Sequence, residues 1–425
     1  MISIVLVVAL LISVPVGMAL AVAALVGLLV AAPGSLILLP QKFIAGLDSF
    51  PLIAIPLFIL AGSIMSYGGI ARRIIDLALV FVGRVYGGLG FVVILSTAFF
   101  GAICGSSSAK TAAIGSVMLP EMIRKKYPPE FATGLFAAAG GGTTLVPPSI
   151  DLIIMGVIAN ISIGGLFAAG ILPTVVIVLA LMGLVFYYAR KLNLELEPKM
   201  PWKEKFVIIK DGVLPVLMVV IVLGGIYGGV FTPTEASAVA VVYGFILAFF
   251  VYKELKLEDI PKALLQTASL TGVVLIVLAT ANMFSFILTY ELIPQYIANL
   301  ITGLSDNWIV FVILVNIVFL LLGMVMDALP AIIVLLPILV PVGVSLDMEP
   351  IHLAILIEAN VGLGMITPPV GITLFVACGI SKIPIENIIK TLIPFLIVLT
   401  VSLLIISYIP EISLYLPRVL GFIGN

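Results

Sequence analysis

GGGTTLVPPSI at 140–150 and NVGLGMITPPVG at 360–371 decide how this chain is read. In each, a diproline interrupts an apolar run just after a stretch rich in glycine and in hydroxyl or amide side chains. Proline lacks a backbone donor and clashes with the preceding turn, so a helix entering the segment ends there, while a second half-helix starts from the prolines at little cost. The two diprolines lie 221 residues apart. At that offset, without a gap, Pro120 falls on Pro341 and Ser106 on Asp327, so each diproline follows a polar residue by 41 positions. The chain's 27 prolines supply one other diproline, Pro128-Pro129, in a basic connection.

The composition says what solvent surrounds these breaks. Of 425 residues, 63% are apolar and 10% charged, with a mean hydropathy of +1.36. A soluble chain carries roughly a quarter charged residues, so the bilayer is the solvent here. Net charge is −1 with no long basic stripe, which excludes a nucleic-acid surface. Two distant cysteines, Cys104 and Cys378, and one histidine, His352, leave no disulfide framework, no histidine metal site and no paired catalytic groups. The expectation is an all-α polytopic membrane protein that is not an enzyme.

A span needs about 20 apolar residues. Full spans are expected at 2–32 (bent at Pro15, membrane structure and not a signal peptide), 51–69, 165–189, 212–230, 236–252, 264–285 and 388–409. Basic residues collect on the cytoplasmic side. The loops holding Arg190 to Lys210 and Lys253 to Lys262 therefore share that side, and stepping outward from them assigns 17 of the 20 basic residues to it, leaving Lys42, Lys110 and Arg418. On this scheme 88–122 and 308–344 each enter and leave on one side as re-entrant hairpins from opposite faces. Each is followed by a broken helix, 131–160 and 351–381. Segments 70–85 and 286–303 read as amphipathic arm helices. This is an inverted-topology repeat, the signature of secondary transporters that bind substrate and ions where helices break near the midplane.

The breaks suggest their own chemistry. Unwound backbone inside a membrane needs partners for its carbonyls, and a sodium ion, which prefers oxygen ligands, supplies one. Thr143, Thr144, Asn360 and Thr367 add side-chain oxygen. At the hairpin tips, Ser106 or Ser107 caps the half-helix that follows, and Asp327, an intramembrane carboxylate, acts as a cap, faces a cation, or does both. Half-helix N-termini hold anions without an arginine. An acidic small molecule coupled to inward sodium flow is the economical reading.

GAICGSSSAKTAAIGSVMLPEM (101–122), LVPPSIDLIIMGVIANISIGGLFAAGILP (145–173), GGVFTPTEASAVAVVYG (228–244), MDALPAIIVLLPILVPVG (326–343) and NVGLGMITPPVGITLFVACGI (360–380) resemble the large membrane subunit of TRAP transporters, the tripartite ATP-independent periplasmic family, from about residue 50 to 400. The resemblance implies sodium-driven uptake of dicarboxylates, sialic acids or other carboxylates across the inner membrane of a prokaryotic cell, by an elevator in which a transport domain moves against a scaffold. It implies two partners, a small four-helix membrane subunit and a soluble substrate-binding protein. Carried onto this chain, it implies sodium ligands at Gly105, Ser106, Ser107, Thr143, Val146, Gly323, Asp327, Gly362, Met365 and Thr367. Substrate contacts are expected at Ser106, Ser107, Pro148, Ser149, Asn360, Pro369 and Gly371, to which the residues themselves and not the resemblance add Lys110 as a candidate, with the helix breaks at Pro147, Pro148, Pro368 and Pro369. The rival reading is a stand-alone sodium–dicarboxylate carrier of the same architecture.

The division expected is scaffold helices and first arm at 1–87, transport-domain halves at 88–163 and 308–385, further scaffold with the second arm at 164–307, and a C-terminal scaffold helix at 386–425. Lys110 and Asp151 depart from the family pattern. They are read as a buried ion pair, with a Lys110–substrate contact as the competing idea; Thr143-Thr144 is a third departure. Glu358 is read as solvated near an entrance.

Overall fold

A computed structural model describes residues 2–12, 14–31, 36–194, 196–197, 199–296, 299 and 307–424. Among them every regular element is helical. Seven helices are long and apolar enough to cross a membrane: Phe50–Tyr67, Ile163–Lys191, Trp202–Tyr227, Pro233–Val251, Asp259–Tyr290, Ala328–Ser345 and Ile385–Tyr408. The N-terminal run is two helices and not one bent span, Ile2–Leu11 and Val16–Ala31. Pro15 lacks the donor that would continue the first helix, and its carbonyl starts the second by accepting the Ala19 N–H at 3.0 Å. Residues 286–290 close the helix Asp259–Tyr290 instead of opening an arm; of the rest of the expected second arm, 297–298 and 300–303 lie outside the described residues. The first arm, Ile70–Val82, buries Ile70, Ile74, Ile75 and Ala78 along one face, the spacing of an amphipathic helix. Leu38–Ala45 and Glu411–Val419 are short helices the sequence reading did not anticipate.

Both hairpins form. The first is Gly88–Cys104 and Ser107–Arg124 around a tip at 105–106; the second is Trp308–Gly323 and Ala328–Ser345 around a tip at 324–327. The broken helices are Pro129–Gly142 with Ile150–Ala159, and Pro350–Gly364 with Ile372–Ser381. Shifting Ser107–Arg124 by 221 gives the bounds of Ala328–Ser345, and the same shift carries Ile150–Ala159 to within one residue of Ile372–Ser381. The Pro147-Pro148 and Pro368-Pro369 peptide bonds are cis.

The two broken helices meet at their equivalent glycines. A Cβ on Gly141 would stand 2.5 Å from the Gly362 carbonyl oxygen, and a Cβ on Gly362 would collide with the Gly141 carbonyl in turn. Only glycine permits this backbone approach. Outside the core, ion pairs tie together segments that the charge pattern assigns to one side. Arg73 pairs with Glu254 at 2.7 Å and lies over the Tyr252 ring at 3.7 Å, and Lys125 pairs with Glu197 at 2.9 Å. His352 is a satisfied structural residue, Nδ1 lying 2.7 Å from Ser413 Oγ and Nε2 3.2 Å from the Ser407 carbonyl.

The crossing yields a stability prediction. Gly141→Ala and Gly362→Ala should each destabilise the protein by about 1–3 kcal/mol through overpacking, whereas Gly224→Ala, with nothing within 4 Å of the added carbon, should leave the thermal midpoint unchanged or slightly raised. Thermal unfolding in detergent reads this; equal midpoints for all three would refute the packing at the crossing.

Candidate site between the hairpin tips and the breaks

A cavity of about 220 Å³ lies where the two hairpin tips face two long helices. Ser106, Ser107 and Ser108 of the first tip, Asp327 of the second, Asp151 and Met365 line one wall. Ser63 and Ser66 on Phe50–Tyr67 and Gln266 on Asp259–Tyr290 line the other. Gly105, Ser106, Ser107, Asp327 and Met365 are thus brought together as the sequence suggested. Ser63, Ser66 and Gln266 were missed, although polar residues inside apolar spans are the signal that finds such positions.

The tips are built alike. Ser106 is the N-cap of Ser107–Arg124, its Oγ accepting the Ala109 N–H at 3.4 Å and lying 3.2 Å from Ser108 Oγ. Asp327, its equivalent, caps Ala328–Ser345 by accepting the Ala328 N–H at 2.8 Å. Each cap satisfies a donor at a helix start, and Asp327 sets its charge at the positive end of the helix dipole. Asp327 is therefore both a cap and a wall of the cavity. Gly105 turns the first tip at φ +61°, and a Cβ there would stand 2.9 Å from the Ile150 side chain, which packs tip against broken helix.

The second break is stitched to the second tip. Val370 and Gly371 donate their N–H groups to the Met324 carbonyl at 3.2 and 3.3 Å. Thr373 donates to the Met365 carbonyl through its backbone at 3.0 Å and its hydroxyl at 2.8 Å, and Thr367 Oγ1 donates to the Leu363 carbonyl at 2.8 Å. Gly371 has φ +55°, and a Cβ on it would meet the Met365 and Thr367 carbonyl oxygens at 3.1 Å each. With the Met365 carbonyl already taken by both Thr373 donors, the Thr367 carbonyl beside Gly371 is the oxygen open to a small hard cation, and no lysine or arginine lies between 350 and 381. Gly323 packs on Gly364, where an added Cβ would stand 2.9 Å from its Cα.

The first break does not fit one in the same way. Lys110, 2% exposed, donates from Nζ to the Thr143 carbonyl at 2.7 Å, and Thr143 Oγ1 donates back to Ala139 at 2.7 Å. Lys110 and Asp151 are not an ion pair, which corrects the sequence reading: the ammonium reaches the open carbonyl of the break instead. Nor is Lys110 among the cavity residues. Asn360 is fully buried and donates to Asn316 Oδ1 at 2.7 Å and to the Leu356 carbonyl at 2.8 Å, holding the second broken helix to the second hairpin. Val146, Pro148, Ser149, Gly362, Thr367 and Pro369 likewise lie outside the cavity lining. Glu358 is not solvated near an entrance. It is fully buried, neither carboxylate oxygen has a hydrogen-bond donor among the described residues, and it faces Asp151, Thr144 and Lys110.

The profile described as "Tripartite ATP-independent periplasmic transporter, DctM component" matches residues 3–412. The chain is 40% identical over 394 residues to the C4-dicarboxylate TRAP transporter large permease protein DctM of Pseudomonas aeruginosa, covering 93% of this chain and 92% of that one. It is 36% identical over 415 residues to the isethionate TRAP transporter permease protein DctMQ of Oleidesulfovibrio alaskensis, covering 96% of this chain and 64% of that one. Among solved structures, that of the Alcanivorax borkumensis YdaH transporter superposes with a TM-score of 0.59 at 15% identity over 93% of this chain and 90% of that one, a likeness of fold alone.

The Lys110 geometry predicts an order of effects. Lys110→Met leaves the buried Thr143 carbonyl with only the long Val146 N–H bond at 3.4 Å and should cost about 1–3 kcal/mol; Asp151→Asn, which breaks no ion pair, should cost less. Adding Asp151→Asn to Lys110→Met should not restore stability. Recovery in the double variant, measured by thermal unfolding, would return the two residues to an ion pair.

Proposed function

The chain belongs to the tripartite ATP-independent periplasmic transporter family as its DctM component, the large permease and not an enzyme, and from that premise we propose that it carries a small organic acid inward together with sodium. It is a multi-pass membrane protein, and the inner membrane of a prokaryote is the proposed location. A C4-dicarboxylate is the first substrate to try, given the name of the Pseudomonas aeruginosa relative; the isethionate relative marks a small sulfonate as the second.

The observation that carries this reading is the cavity itself. Two helix starts, capped by Ser106 and Asp327, and the polar side chains of Ser63, Ser66 and Gln266 surround a space of about 220 Å³. The helix start at Ser106 attracts a carboxylate without a basic side chain; the Asp327 carboxyl already occupies the other start and with Asp151 faces the same space, a place for the co-transported cation. The Thr367 carbonyl at Gly371 is the proposed sodium ligand beside it.

The proposed movement follows from where the cavity lies. One wall belongs to the hairpins and broken helices, 88–163 and 308–385, and the other to the long helices. The 221-residue recurrence reads as an inverted-topology repeat, and sliding the tip-bearing body past the long helices would expose the cavity to each side in turn, as an elevator. Substrate would arrive from a soluble binding protein, with a small membrane subunit beside the scaffold; the DctMQ name of one relative, whose chain extends beyond the matched part, supports the second partner.

Uptake of radiolabelled succinate into proteoliposomes holding this chain and its small subunit tests the reading. Uptake should need both an inward sodium gradient and the binding protein from the same genome, and Asp327→Ala should reduce it at least tenfold, about 1.4 kcal/mol of lost interaction. Uptake with no binding protein would favour a stand-alone carrier. Uptake indifferent to sodium would end the coupling proposal.

A further inference from the structure

At the first break the Thr143 carbonyl receives only a long bond from its own chain, the Val146 N–H at 3.4 Å, and in this chain a side chain also holds it. Lys110 reaches it from the second helix of the first hairpin, Nζ to oxygen 2.7 Å. The path is prepared: a Cβ on Gly101 would stand 3.0 Å from Lys110 Cδ and 3.2 Å from Nζ, so the stem lies against a helix that offers it no side chain. Asp151, from beyond the first diproline, and Glu358, from the second broken helix, bring two carboxyl groups toward the ammonium. At the 221-residue offset, Lys110 falls on Ala331, Asp151 on Ile372 and Glu358 on Ala137. None of the three charges belongs to the duplicated pattern, yet the fold gathers all three at one place beside the Gly141–Gly362 crossing.

A carbonyl oxygen inside a bilayer, flanked by carboxylates, is what a sodium ion would seek. We propose that Lys110 is a tethered cation standing in for one sodium ion at the first break, so that sodium is bound only at the second. The inference rests on the sodium-coupled reading above. It makes the two halves, alike in backbone, unlike in ion chemistry: the second offers the Thr367 carbonyl beside Gly371 with no lysine or arginine between 350 and 381, while the first carries its positive charge on a side chain that never leaves. Glu358 and Asp151 face the ammonium, whose charge offsets part of the cost of burying them.

Equilibrium binding of ²²Na⁺ to purified protein, in choline buffer without substrate, decides it. Lys110→Ala should bind one more sodium ion per chain than wild type, because it removes the ammonium from the Thr143 carbonyl and from the two buried carboxyl groups beside it; Lys110→Arg should bind the wild-type number. A folded Lys110→Ala with the wild-type number overturns the proposal. If neither protein binds sodium at all, the coupled reading falls and takes this inference with it, a different result from equal non-zero counts. Should Lys110→Ala not fold, wild-type crystals soaked in thallium should show anomalous density at the second break and none at the Thr143 carbonyl oxygen. Density there would overturn the proposal.

Discussion

Inside a bilayer no water is at hand to pair a backbone group, and an interrupted helix frees several at once. The rest of this structure answers that constraint. Thr143 and Thr367 return their hydroxyls to the carbonyls four residues back. Thr373 gives both its donors to Met365, and the second tip lends the Met324 carbonyl to Val370 and Gly371. Local bonding leaves the Thr143 carbonyl to be shared with Lys110 and the Thr367 carbonyl beside Gly371. The breaks thus supply both the rigidity of the tip-bearing body and its chemistry.

A second consequence is geometric. Two interrupted helices can share partners only if their backbones come within contact distance, and Gly141 and Gly362 make that approach possible. The crossing locks both halves into one body, so the tips face the long helices together. Asn360 and Asn316 extend the lock to the second hairpin. Glu358 is brought to the same crossing by its place on Pro350–Gly364, four residues before Gly362, and for that reason the second half contributes a charge to the first half's break.

The sequence displayed the breaks, tips and repeat offset clearly, because proline and glycine act locally and leave a mark wherever they occur. Ser106 and Asp327 were legible as caps for the same reason. What stayed hidden depends on distant contacts. Nothing near Lys110 in the chain says that its ammonium passes Asp151 to reach Thr143, 33 residues on. Glu358 looked peripheral, since apolar neighbours on one helix do not reveal which other helices enclose them. Ser63, Ser66 and Gln266 lie in ordinary spans, and only the opposing tips make a cavity wall of them. The split at Pro15 was half seen: the proline was noted, but a bend was expected where the freed carbonyl starts a new helix.

The account stands or falls on whether the tip-bearing body moves against the long helices. Ser66 and Ala109 line the cavity from opposite walls and lie outside the proposed ion ligands. With Cys104 and Cys378 replaced by serine, a Ser66→Cys/Ala109→Cys protein joined by a short thiol-reactive linker should lose succinate uptake in proteoliposomes and regain it when a cleavable linker is cut, while each single cysteine transports throughout. Undiminished uptake by a fully cross-linked protein would show that the walls need not separate, and would contradict the account.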